Sequence, residues 1–369
     1  MIGCIVQHLR VVNNFDLSFT ILSMIHILAL ILLTIVSYLG IYLIRHYAEK
    51  SQILDHPNER SSHSVPTPRG GGLAMVVVVL AVGIWSASQA GWNRILIYIL
   101  GATIIAWLGW RDDLHSLSPR LRFAVQGLVA AISILGLGYF KAVTIPIFGE
   151  IQLGILGIAI TFLWIIGLTN AYNFMDGIDG LAGGVGLGAG IGWMWLAANM
   201  HNPFAFWIAL AITAGSLGFL GHNWSPARIF MGDVGSTFLG YSFAVLPLIS
   251  SDQSGDALLL GTLLMWTIIM DAGVTFIGRL LKRENVFTPH RSHLYQRLVM
   301  AGYKHETVSS LYILLTLLAG LLSYEWSQGH QIAPPFIFFG LPLIWILLSI
   351  YAARLQNSAL RTKPLVSDN

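Results

Sequence analysis

With 369 residues, 55% of them hydrophobic and only 10% charged, and a mean hydropathy of +0.71, this chain does not have the composition of a soluble globular protein. The net charge of +3 points to no partner by itself, because where the charges fall matters more than their sum. A single cysteine, Cys4, excludes an intramolecular disulfide and offers no metal-site spacing.

Apolar runs fall at about 19–44, 73–90, 95–110, 123–140, 151–169, 181–199, 204–221, 235–250, 257–278, 307–324 and 336–353. Each is about the length of a bilayer-crossing helix, so the sequence predicts an all-α polytopic membrane protein of about eleven spans in one domain covering 1–369. The first stretch carries no basic region and no small-residue cleavage site, and reads as an uncleaved span. With residues 1–18 outside, Arg10, Arg94 and Lys141 fall outside and the other seventeen of the twenty Lys and Arg fall inside. That asymmetry places the N-terminus out and the C-terminus in the cytoplasm.

The connections then divide by character. Outer ones (Gln89–Arg94, Lys141–Glu150, Asn199–Pro203, Ser250–Asp256) are short and carry no obvious chemistry. Inner ones hold nearly every polar cluster, at His46–Gly72, Arg111–Arg122, Asn170–Gly180, His222–Asp233 and Arg279–Glu306. One shared site on the cytoplasmic face is the economical reading.

The first inner loop carries Arg60 and Arg69 among prolines and glycines. Both can clamp phosphate oxygens bidentately, or merely set topology. In the second loop the adjacent carboxylates Asp112 and Asp113 repel, which raises one pKa or calls for a nearby cation. A solvated helix end would also explain them. The third, Asn170-Ala-Tyr-Asn173-Phe-Met-Asp176-Gly-Ile-Asp179-Gly, packs amide and carboxylate oxygens that suit a hard divalent cation beside phosphates. A polar connection rich in turn residues is its plain alternative. In the fourth, Asn223 precedes Phe230-Met-Gly-Asp233-Val-Gly-Ser, a string too polar to be filler between spans. Phe230 can stack on a nucleobase, although a lone Phe is more often core. The last loop holds His290, Arg291 and His293 at a density that suits a diphosphate or an anionic lipid surface. Asp271 is the one carboxylate well inside a span, expected to pair with a neighbour or to edge the cavity.

Taken together, Asp112-Asp113, Asn170-x-x-Asn173-x-x-Asp176-Gly-x-Asp179-Gly-Leu, Phe230-Met-Gly-Asp233-x-Gly-Ser and Arg291-Ser-His293-Leu resemble the polyprenyl-phosphate N-acetylhexosamine-1-phosphate transferases, over roughly residues 45–300. Pro57-Asn58-x-Arg60-Ser-Ser-His63 and Thr67-Pro-Arg69-Gly-Gly-Gly look like the branch that initiates O-antigen or related surface polysaccharides, more than the muramoyl-pentapeptide translocase branch. The resemblance implies transfer of a sugar 1-phosphate from a UDP-N-acetylamino sugar to undecaprenyl phosphate at the bacterial inner membrane, with release of UMP and a requirement for Mg²⁺ or Mn²⁺. By similarity, Asn173 and Asp233 would hold the metal, and Asp112 would receive the lipid phosphate and can serve as its base. Asp113 and Asp176 would shape the field around it. Asn170, Asp179, Asn223 and Phe230 would contact uridine, and His290, Arg291 and His293 the phosphates or sugar. Membrane lipid rather than nucleic acid is the expected partner, and a homodimer stays open. The chain departs from the family just after His293, where a further His pair is common and Tyr295 and Gln296 stand here. A secondary transporter is the competing class, but its site would sit near the bilayer midplane.

Overall fold

The computed structural model describes residues 2–57, 65–90, 93–250, 256–285 and 290–362, with side chains from 24 to 355 apart from 89, 90 and 93. Arg60 lies outside the described residues. The predicted apolar runs are helical over most of their length, although the one over 257–278 is split between two helices and the one from 151 opens on a strand. In order the helices are α1 (Ile2–Lys50), α2 (Gly72–Ala90), α3 (Asn93–His115), α4 (Pro119–Leu137), α5 (Leu156–Phe174), α6 (Leu181–Asn199), α7 (Pro203–Asn223), α8 (Asp233–Ser250), α9 (Asp256–Leu264), α10 (Trp266–Leu281), α11 (Leu294–Met300), α12 (His305–Ser327), α13 (Ala333–Pro335) and α14 (Leu341–Thr362). A π-helical turn, Phe336–Gly340, joins the last two.

Eight helices among the described residues are long and apolar enough to cross a membrane, or up to nine if one bent pair counts as a single span. That pair is α9 and α10, where the sequence predicts one straight run over 257–278. The axis instead turns by 83° at Met265. Beyond the bend, α10 buries Trp266, Thr267, Ile268 and Asp271 and bares Phe276, Ile277, Leu280 and Leu281.

The expectation of helix alone needs two small additions. Strands β1 (Leu54–Asp55) and β2 (Thr67–Pro68) pair antiparallel, Leu54 opposite Pro68. The connection over 141–153 is a hairpin of β3 (Ala142–Ile145) and β4 (Gly149–Gln152), Ala142 opposite Gln152.

The centre of the bundle is α6, whose glycines let neighbouring helices close in, as small residues do in membrane interfaces. A Cβ on Gly192 would lie 2.3 Å from Leu264, and one on Gly190 2.5 Å from Thr213 Oγ1. α3 uses the same device against α8: a Cβ on Gly109 would lie 2.4 Å from the Asp233 carbonyl oxygen. At the opposite end of α3, Arg94 donates to the carbonyls of Leu137 (2.8 Å) and Leu248 (3.4 Å), the C-terminal turns of α4 and α8. Cations are favoured at such carbonyl ends.

Candidate active site

The carboxylates and amides expected in loops stand mostly on helix ends. Asp112 and Asp113 lie in the last turn of α3, Asn170 and Asn173 in the last turns of α5, and Asp233 opens α8. Hydrophobicity stops short of them in sequence, but the backbone keeps its helical hydrogen bonds while the polar side chains turn inward to one another.

Asp113 is 4% exposed at its side chain and accepts from the backbone N–H groups of Asp233 (2.8 Å) and Val234 (3.0 Å). A carboxylate from α3 thereby satisfies the orphan donors at the start of α8. Gly232, at φ +77, permits this approach, since a Cβ there would meet Asp113 Oδ2 at 2.6 Å. Arg69 completes the group, with Nε 2.7 Å from Asp113 Oδ1 and Nη2 3.1 Å from Asp233 Oδ1. Its own position is fixed by backbone bonds between two loops: Phe230 N–H to Pro68 C=O, and Gly71 and Gly72 N–H to the carbonyls of Phe230 and Met231.

Asn173 Nδ2 donates to Asp233 Oδ1 (3.1 Å) and to Ser236 Oγ (2.9 Å). Its amide oxygen accepts no hydrogen bond among the described residues. Asp112 accepts from Leu117 N–H (2.6 Å) and from Arg122 Nη1 (2.8 Å). The same Arg122 nitrogen stands 3.8 Å from Asp233 Oδ2. The Asp176 backbone N–H donates to the Asn173 carbonyl at 3.2 Å, but its carboxyl, by contrast, has no hydrogen-bond partner among the described residues. Its carboxyl is pushed up to about 7, by burial first and then by Asp233, with Arg69 opposing. Asp112, Asp113, Asn173, Asp176 and Asp233 therefore do converge, with Arg69 and Arg122 between them.

The other expected site residues form a frame around this centre. Asn170 Nδ2 donates to Gln126 Oε1 (2.7 Å) and to the Ile166 carbonyl (2.8 Å). Asn223 is buried, accepting from Gly180 N–H (2.8 Å) and donating to the Ile229 carbonyl (2.9 Å), so it sews the 175–180 turn to the 224–232 loop. Asp179 accepts from Ala227 N–H (3.1 Å) and pairs with His305 Nδ1 (3.3 Å). Burial alone would raise its carboxyl, but the hydrogen bonds with His305 and the Ala227 N–H outweigh burial and hold it below the ordinary value. Phe230 is half-buried, held through its backbone.

In the last loop His293 is buried and 3.2 Å from Asp271 Oδ1. His290 Nδ1 meets Ser292 Oγ at 2.9 Å, with its ring 5.0 Å from that of His293. Burial first, then His293 and Arg279, press the His290 imidazole down to about 4, so it is neutral at physiological pH. Arg291 lies between the two histidines in sequence, half-buried. Asp271 pairs within the protein, as one of the two expectations had it. It accepts from the N–H groups of Leu294 (2.8 Å) and Tyr295 (3.2 Å) and from the Tyr312 hydroxyl (2.5 Å). Arg122, Ser236, His305 and Tyr295 have roles that sequence reading passed over. Arg122 had a signal, a cation ten residues after Asp112, but read only as a topology charge.

Among the described residues no three His, Cys, Asp or Glu side chains are arranged to hold a metal ion by themselves. What the centre offers is oxygen only: the carboxylates of Asp233 and Asp176 and the uncommitted amide oxygen of Asn173. Such a donor set fits Mg²⁺, which keeps waters and shares its shell with substrate phosphates instead of entering an all-protein cage.

This arrangement defines a multi-pass membrane protein with an acidic, amide-lined, arginine-bridged centre at one end of its helices. The profile of "Glycosyl transferase family 4" matches residues 95–251, which include Asp112, Asn173, Asp176 and Asp233. The chain is 34% identical over 268 residues to a probable undecaprenyl-phosphate N-acetylglucosaminyl 1-phosphate transferase of Bacillus subtilis (strain 168), covering 72% of this chain and 74% of that one. It is 29% identical to a decaprenyl-phosphate N-acetylglucosaminephosphotransferase of Mycobacterium leprae (strain TN), covering 80% and 82%. With an undecaprenyl-phosphate alpha-N-acetylglucosaminyl 1-phosphate transferase of Yersinia pestis it shares 28% over 88% and 90% of the two chains. The chain belongs to the polyprenyl-phosphate N-acetylglucosamine-1-phosphate transferase family, as the motifs led one to expect.

Proposed function

We propose that this protein transfers an N-acetylamino-sugar 1-phosphate from a UDP-sugar to undecaprenyl phosphate. An oxygen of the lipid phosphate attacks the phosphorus that bears the sugar. The bond from that phosphorus to the bridging oxygen breaks, and the electron pair leaves with UMP. The observation that carries this reading is the convergence of Asp112, Asn173, Asp176 and Asp233 around Arg69 and Arg122. Two polyanions can be brought together only where fixed cations and donors offset their charge.

In this reading Asn173 and Asp233 hold a divalent cation, Mg²⁺ or Mn²⁺, which when bound neutralises charge on the diphosphate. Arg69 holds Asp233 in place and can reach a phosphate oxygen. The Asp112–Arg122 pair receives the lipid phosphate, while Asp113 and Asp176 set the local field. Asp179, Asn170, Asn223 and Phe230 hold the walls of the uridine site, and the His290–His293 segment meets phosphate or sugar. The charge asymmetry supports eleven crossings with the N-terminus outside and the site at the cytoplasmic face of the inner membrane. The strings from Pro57 to Gly72 favour a product that starts O-antigen or a related surface polysaccharide.

The test is purified protein with undecaprenyl phosphate, Mg²⁺ and a panel of UDP-sugars, scored for UMP. Release of UMP with at least one UDP-N-acetylhexosamine is expected. Absence of UMP with all of them, or substrate uptake into vesicles without UMP, would overturn the reading.

A further inference from the structure

Asp271 is buried on α10, outside the acidic centre, and yet it connects to that centre through two hydrogen-bonded steps. Its oxygens accept from Leu294 and Tyr295 N–H, and so cap α11 from outside, much as Asp113 caps α8. Within α11 the cap is reinforced, because Gln296 Oε1 accepts from His293 N–H at 3.3 Å. Tyr295, 1% exposed, then donates its hydroxyl to the Phe174 carbonyl at 3.0 Å. Phe174 is the last residue of α5, and it stands between Asn173 and Asp176. The fit is close: a Cβ on Gly177 would lie 2.1 Å from the Tyr295 hydroxyl and 3.0 Å from its ring. One tyrosine therefore stands against both the last carbonyl of α5 and the glycine three residues beyond it.

We propose that Tyr295 is a positioning residue for the transfer reaction. It fixes the α5 C-terminal turn so that Asn173 and Asp176 are held toward Asp233, with Asp271 anchoring the helix from which it reaches. This deepens the transferase reading and rests on it. A helix C-terminus ordinarily leaves its last carbonyls to water. Here one is given a buried donor, and the residues on either side of it are the ones the chemistry needs within fractions of an ångström.

The experiment compares Tyr295→Phe with Tyr98→Phe in purified protein. Tyr98→Phe also removes a buried hydroxyl, the partner of Ser242 Oγ at 3.1 Å, toward the other end of α3. Tyr295→Phe is expected to lower kcat about tenfold, as loss of one well-placed hydrogen bond does, with both KM values within about twofold. Amide hydrogen exchange over 173–180 should quicken in Tyr295→Phe and stay unchanged in Tyr98→Phe, whose kcat is unaffected at a similar loss of Tm. Gly177→Ala should cost turnover in the native background, and the double variant with Tyr295→Phe should be no worse than Gly177→Ala alone, since both strike one contact. Unchanged kcat and exchange in Tyr295→Phe, or an equal kcat loss in Tyr98→Phe, would overturn the proposal. If the native protein released no UMP, the transferase reading would fall. Faster exchange at 173–180 in Tyr295→Phe would then still support the mechanical link, and its absence would remove that too.

Discussion

Asp113 caps the helix that Asp233 begins: its two oxygens take the Asp233 and Val234 N–H groups, at 2.8 and 3.0 Å. One half of the adjacent acidic pair is thus committed to the fold, and the other, Asp112, is committed to Arg122.

Replacing Asp113 by Asn keeps the shape but removes the charge that faces Arg69 and the start of α8. Loss of a charged cap and of its buried ion pair costs roughly 1–3 kcal/mol. Thermal unfolding in detergent should show a lower Tm together with lost turnover, whereas a purely catalytic residue would leave Tm in place.

Asp233→Asn is expected to abolish UMP release while the protein still inserts and purifies as the native one does. Full activity in the purified variant would remove Asp233 from the metal centre.

Chelation should act in the same way. EDTA is expected to stop UMP release and added Mg²⁺ to restore it; turnover that persists in EDTA would count against a cation on Asn173 and Asp233.

Arg69→Ala removes the cation that bridges Asp113 and Asp233 and leaves only Arg122, 3.8 Å away, beside Asp233. Both stability and turnover should fall, turnover by about tenfold or more. Arg60→Ala is expected to raise the donor KM or lower turnover. Unchanged kinetics in either variant would leave that arginine as a topology charge.

The pH dependence of stability should carry the signature of Asp176. Its carboxyl is raised to about 7 in the folded protein, so the folded state holds its proton more tightly than the unfolded chain. The stabilisation is complete below about pH 4 and is lost as pH rises through about 7. Asp176→Asn should therefore have a higher Tm than the native protein at pH 8 and no advantage at pH 4. Parallel Tm curves across that window would show that the carboxyl is not raised.

The membrane class and the position of nearly every helix were legible because apolar runs of bilayer length leave little choice of structure. The sidedness of the polar loops, together with the family resemblance, also put Asp112, Asn173, Asp176 and Asp233 at one site before any coordinates. Sequence could not reveal which polar atoms are already spent. Asn223 and Asp179 read as ligand contacts, yet their side chains hold loops together, because hydrogen bonds to backbone N–H depend on tertiary approach and leave no periodic trace. The bend at Met265 was hidden for a similar reason: 257–278 reads as one apolar run, and no proline marks the break. Tyr295 read as a departure from a histidine pattern, and its partner, a backbone carbonyl at the end of α5, has no sequence signature at all.

Arg94 and Asp113 belong to the same helix, and each fastens one end of α8, the cation on its carbonyl end and the anion on its amide end. α3 and α8 are accordingly lashed together along their length like a splint, with Asp112 and Asp233 at one tip. One helix thus grips its neighbour at both poles with opposite charges, so the acidic tip is carried by a pair of helices that move as one piece.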